Sequence, residues 1–156
     1  MKHPVRLLPL AALAALALLA AGCSAVNPIT TQDAYDASDG MSIEFGDVTG
    51  LNLIVITEEV DSPAVLIGSF YNSGDEDVQV AASIDGAGIV TVDVPAGTVV
   101  KLGGEEGEAH ITGTSTAAPG SLQEITIQTD EAGQVAEYVP VLDGTLPEYA
   151  VELESL

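Results

Sequence analysis

From Ser42 onward the chain is cut into short runs of Val, Ile, Thr and Leu by Gly, Pro, Asp and Asn, about every 8–12 residues. β-Branched side chains are stiff about χ1 and suit a pleated sheet. No stretch beyond the N-terminal leader sustains the 3.6-residue period of an amphipathic helix of ten residues or more. Strands are predicted at 42–45, 51–57, 64–71, 78–84, 89–94, 98–102, 108–112, 122–129 and 134–141, with 148–154 either a last strand or a frayed end. Nine or so short strands predict an all-β domain, a Greek-key β-sandwich of immunoglobulin-like or cupredoxin-like form.

Alternation assigns faces within some of these strands. Leu53, Val55 and Thr57 point one way and Asn52, Ile54 and Ile56 the other; with 53–56 wholly apolar, this strand is expected to be covered on both faces or to run under a loop. Glu124, Thr126, Gln128 and Asp130 form a wet face against Leu122, Ile125, Ile127 and Thr129, with a phase slip near Gln123. Without Trp, and with only Phe45 and Phe70 as phenyl rings, the core must be filled by interdigitated Val, Ile and Leu. Tyr71, Tyr138 and Tyr149 read as sheet or rim packing residues.

The N-terminus carries a different signal. Lys2 and Arg6 precede an apolar run over 7–21, which is the charged and greasy order of a secretion leader. The run contains Pro9 and is shorter than the roughly 20 residues that a spanning helix needs. It closes on Leu19-Ala20-Ala21-Gly22-Cys23, which resembles a bacterial lipoprotein signal, although the usual leucine lies one residue early and Ala20 takes its place. An ordinary leader with a chance cysteine is the alternative. Cys23 is the chain's only cysteine, so no internal disulfide forms and the fold must hold by packing. The reading is therefore a leader at 1–22, a tether at 23–41 anchored to the membrane by lipid on Cys23, and a β-sandwich domain at 42–156, on the extracytoplasmic face of a cell membrane.

Charge limits the partners. All 24 acidic residues follow the leader, against Lys101 as the one permanently cationic side chain there, a formal charge of about −23. Nucleic acid is excluded as a partner, because phosphate neutralisation needs Lys and Arg. The surface calls for screening by salt or divalent cations, so a cation or an envelope protein is the expected partner.

Several segments between 64 and 142 share an order with a known family. They are Val65-Leu66-Ile67-Gly68-Ser69-Phe70-Tyr71-Asn72-Ser73-Gly74, Val92-Asp93-Val94-Pro95-Ala96-Gly97-Thr98-Val99-Val100-Lys101-Leu102, Glu108-Ala109-His110-Ile111-Thr112, Pro119-Gly120-Ser121-Leu122, and Gly133-Gln134-Val135-Ala136-Glu137-Tyr138-Val139-Pro140-Val141. Together they resemble the periplasmic copper chaperone domain PCu(A)C and its actinobacterial lipoprotein relatives of the LpqE type. The resemblance implies a cupredoxin-like or immunoglobulin-like sandwich and, in chaperone members, copper held by two His and two Met. His110 matches one histidine position, but Thr112 stands where a methionine is expected, and no His or Met occurs over 77–89, where the other pair would fall. Soft Cu(I) needs thiolate or thioether ligands. Location and fold are therefore expected to carry over, and the copper chemistry is not.

Candidate metal-ligating residues are His110 and the carboxylates Asp75, Asp77, Glu105, Glu106 and Glu108. Neither acidic cluster has EF-hand spacing, and adjacent strand carboxylates point apart, so only loops could converge them. The sequence lacks a phosphate-binding glycine loop and a zinc ligand set, so no cofactor is expected. A single histidine among many serines does not define a triad. The expectation is a non-enzymatic binding or scaffolding module, with a metal-binding protein and an envelope glycosidase using paired carboxylates as alternatives.

Overall fold

The computed structural model describes residues 36, 38–86, 88–104, 107, 109–154 and 156. The predicted leader, Cys23, most of the tether, and Glu105, Glu106 and Glu108 lie outside the described residues. The described chain forms nine strands and a helix: β1 (Met41–Phe45), β2 (Val48–Thr57), β3 (Ser62–Asn72), β4 (Val78–Ser83), β5 (Val90–Val94), β6 (Val99–Leu102), β7 (Ile111–Ser115), β8 (Leu122–Thr129), β9 (Gly133–Leu142) and α1 (Pro147–Glu154). Among them, no helix is long and apolar enough to cross a membrane.

One sheet contains β1, β2 and β3, with β6 and β7 sharing the outer edge of β3 end to end; the other runs β5-β4-β8-β9. β9 joins them, pairing with β8 from Gly133 to Pro140 and then with β2, in parallel, through Val141 and Leu142. The order β5-β4-β8-β9-β2-β3-β6 almost closes on itself, and the chain crosses between sheets after β3, β5 and β7. This is the all-β sandwich, of cupredoxin-like or immunoglobulin-like kind, that the punctuation of the sequence predicts.

Twenty buried residues fill the space between the sheets, from Ile43 and Phe45 through Leu53, Val55 and Phe70 to Val139 and Val141. The two phenyl rings meet edge to face, with centroids 6.0 Å apart. A bulge in β2 aligns this core: Leu51 pairs with Ser69 and Ile54 with Ile67, so two residues of β2 oppose Gly68. Asn52 takes φ 51°, which asparagine tolerates better than other non-glycine residues, and its Oδ1 accepts from Gly40 N–H at 2.9 Å and Ser38 Oγ at 2.7 Å. At Gly68, φ is 130° and a Cβ would lie 2.7 Å from the Leu51 and Asn52 carbonyls, so only glycine fits. The segment before β1 is thereby stitched to the domain, and β1 starts at Met41, the last residue assigned to the tether.

The other face of β2 holds the main departure from expectation. The 148–154 tail is a helix. Its polar-apolar alternation imitates a strand, but Tyr149 and Leu153 stand four apart and share one helical face. Both pack with Ile67 and Leu142 on buried Ile54, Ile56 and Val65, while Val151 between them stays exposed. β2 is buried on both faces, as one of the two expectations had it, and the element over its second apolar face is α1. Pro147 suits the first helical turn. Just before it, Asp143 accepts from Thr145 N–H at 3.0 Å. Hydrogen bonds from the Thr145 hydroxyl and backbone hold the Asp143 carboxyl below its ordinary range. Glu152, only 7% exposed, accepts from Gly104 N–H at 2.7 Å and so ties α1 to the loop after β6.

Two smaller corrections follow from that loop and from β8. The strand expected at 108–112 is Ile111–Ser115; before it Ala109 makes an isolated bridge with Leu102, Gly103 N–H donates to the Ala109 carbonyl and Gly107 N–H to that of Gly104. β8 has no phase slip: Gln123 takes the inward position at 4% exposure and Leu122 is exposed.

Candidate functional site

Two loop clusters lie at opposite ends of β4, a six-residue strand spanning roughly 20 Å. At the end where β4 begins, the β1–β2, β3–β4 and β8–β9 turns surround a cleft of about 580 Å³. Asp47, Asp75, Glu76, Asp77, Asp130 and Glu131 line it. Of the predicted ligands, Asp75 and Asp77, with Glu76 between them, are thus brought together with three carboxylates from distant sequence, Asp47, Asp130 and Glu131. All six residues are exposed. Asp77 Oδ1 accepts from Ala96 N–H at 2.9 Å, across from the β5–β6 turn.

Fully buried Asn72 builds this end. Its Nδ2 donates to the carbonyls of Glu76 at 2.7 Å and Val94 at 3.0 Å, and its Oδ1 accepts from Gly74 N–H at 2.9 Å. Ser73 N–H donates to the Asp47 carbonyl at 2.8 Å, which draws the β1–β2 and β3–β4 turns together. The cleft is therefore a set of rigid turns carrying solvated negative charge. Its chemistry is attraction of cations by a summed field. Among the described residues, no group of three or more His, Cys, Asp and Glu could hold a metal ion.

At the other end, the β4–β5 loop lies against β7. Asp85 Oδ1 accepts from Gly88 N–H and Oδ2 from Thr114 N–H, both at 3.3 Å, and a Cβ on Gly88 would lie 3.4 Å from the Thr112 carbonyl. These are the two segments to which the copper resemblance assigns ligands, and the fold does place them side by side. What they present does not fit copper. The loop supplies a carboxylate that bonds backbone amides, Thr112 offers a hydroxyl, and His110 is an exposed imidazole immediately before β7. A hard oxygen set with one nitrogen is a poor match for Cu(I).

Gln123 braces this end and is the residue that sequence reasoning missed. Its Oε1 accepts from Thr116 N–H at 2.9 Å and from the hydroxyls of Ser115 and Thr116; its Nε2 donates to the Ile84 carbonyl at 3.0 Å and that of Glu124 at 2.8 Å. The signal was present as a polar residue at an inward position of β8, read instead as a slip in phase. Glu105, Glu106, Glu108 and the lipidation candidate Cys23 lie outside the described residues.

No protein-family model matches the chain, and no curated protein matches it. Among solved structures it is similar to a "Copper-bound PCuAC domain from PmoF2", at 19% identity and TM-score 0.51, over 66% of this chain and 98% of that one. An "Apo PCuAC domain from PmoF1" is similar at 16% identity and TM-score 0.49, over 65% of this chain and 98% of that one. At such identity the first likeness describes the fold and nothing finer.

Proposed function

We propose that the chain is a lipid-anchored, extracytoplasmic, non-enzymatic module that binds or scaffolds another component of the cell envelope. It shares a sandwich with copper-binding domains while its own corner is a structural joint. The observation that carries this reading is the Asp85 carboxylate between Gly88 and Thr114, where a copper site would need soft ligands. Anchoring rests on the leader and on Cys23, the one thiol in the sequence. Two or three acyl chains on that residue would give stable attachment, at about 0.8 kcal/mol per buried methylene.

An enzyme reading finds little support. A glycosidase acid needs burial to keep its proton at neutral pH, yet every carboxylate of the cleft is exposed. The convergence of six carboxylates does favour a second reading, loose retention of divalent cations. Stoichiometric calcium uptake below millimolar concentration, lost on changing Asp75 and Asp130 to Asn, would establish it.

The anchor is tested in a producing cell. The parent is expected in the membrane fraction, with an acylated Cys23 as its amino terminus by mass spectrometry, and Cys23→Ala in a soluble fraction. Retention of Cys23→Ala in the membrane as firm as that of the parent contradicts the reading.

A further inference from the structure

On the outer face of the β5-β4-β8-β9 sheet, under the β4–β5 loop, lies a slot of about 110 Å³. Val80 and Ala82 point into the core, so Ala81 and Ser83 point outward and form its floor. Strand register sets its wall: Ser83 pairs with Thr126, Ala81 with Gln128, and Gln128 in turn with Gln134. Ile89, 67% exposed, overhangs the lip.

Two features mark this slot. Ser83 is 2% exposed, and its Oγ is the buried side-chain polar atom, among the described residues, that has no hydrogen-bond partner. Such a group is costly unless something bonds it. In addition, no lining residue is charged, on a chain with 24 acidic residues. The space admits several waters, more than a single structural water would occupy.

We propose that the slot binds a neutral polyhydroxylated ligand, one sugar ring of an envelope glycan. Hydroxyl and carboxamide groups both donate and accept, as ring hydroxyls do, so Ser83, Thr126, Gln128 and Gln134 form a matching row. The overhanging Ile89 covers a C–H face of the ring. An anion meets the protein's negative field, a cation finds no counter-charge in the lining, and an apolar ligand leaves Ser83 unbonded. The inference rests on the envelope-binding reading, since it names a ligand for it, but does not involve Cys23.

The test is saturation-transfer NMR on the full-length protein, in a detergent without a sugar headgroup, against neutral methyl glycosides of hexoses and N-acetylhexosamines. At least one is expected to bind in the millimolar range and to weaken about threefold in Ser83→Ala and about tenfold in Gln128→Ala/Gln134→Ala, each lost hydrogen bond accounting for a few-fold. The Ser83→Ala protein is expected to keep or raise its unfolding midpoint, because an unbonded hydroxyl has been removed. Absence of transfer from every glycoside at about 50 mM, far above a millimolar dissociation constant, overturns the proposal. So does transfer indifferent to these variants, or binding of a blocked dipeptide amide alone. A lowered midpoint in Ser83→Ala also overturns it, since the hydroxyl would then serve a bound structural water. Failure on any of these leaves the Cys23→Ala fractionation unaffected, so the two readings fail separately.

Discussion

The two ends of the sandwich are fastened by the same device and display opposite chemistry. At one, buried Asn72 gathers the β3–β4 turn and the end of β5; at the other, buried Gln123 gathers the β4–β5 loop and the end of β7. Each carboxamide is neutral and both donates and accepts, so it satisfies several orphan backbone groups without the desolvation cost of a charge. The outward-facing residues are then spared most of the work of holding the loops. One end can carry six carboxylates and the other hydroxyls and a single carboxylate, on a common frame.

The comparison breaks most sharply if the two amides differ in weight. Asn72→Ala and Gln123→Ala each leave three backbone partners unbonded, one buried and two partly buried, and each is expected to cost about 3 kcal/mol by urea unfolding. A loss below about 1 kcal/mol for either would mean that its end is held by something else. Asp85→Asn keeps the shape and weakens two long bonds at an exposed site, for an expected loss of about 0.5 kcal/mol.

Alkaline pH separates the ends by another route. Burial pushes the Tyr149 hydroxyl above its ordinary value, and the charges of Asp39 and Glu148 add to the shift. Its folded value therefore exceeds the unfolded one. The stability it contributes is fully present below about pH 10 and is lost as pH rises through the folded value. Ionisation is expected to loosen α1 and, through Glu152 and Gly104, the turns after β6, while the Asn72 end keeps its protection. Hydrogen exchange across that range reads both at once; equal loss at the two ends would contradict the coupling.

The smallest expected effect is at the cleft. Changing Asp75, Asp130 and Glu131 to their amides is expected to raise stability by about 0.5 kcal/mol at low salt and by less at physiological ionic strength. A destabilisation instead would assign those carboxylates a structural bond or a resident cation.

Much of this frame was legible in the sequence. Runs such as Val78-Gln79-Val80 and Leu122–Thr129 declared strands because β-branched residues and turn formers alternate at sandwich spacing, and the apolar stretch Leu53–Ile56 declared a strand covered on both faces. The covering element was not legible. Tyr149, Val151 and Leu153 fit a two-residue period as well as an i, i+4 pair, and only the waiting apolar face of Ile54, Ile56 and Val65 selects the helix. The cleft was half visible. Asp75 and Asp77 stood out as a cluster, but Asp47 and Asp130 join them through strand register, which composition does not encode. Gln123 was misread because polarity was weighed above position; besides its neighbour Glu124, its partners come from two other segments of chain.

The most direct test of the central claim, that the corner between the β4–β5 loop and β7 is a structural joint and holds no copper, is a Cu(I) competition titration of the full-length protein against a chromogenic chelator. The account predicts no copper withdrawn from the chelator at micromolar protein, and a His110→Ala variant that behaves like the parent. Stoichiometric capture by the monomer, abolished by His110→Ala, would contradict it.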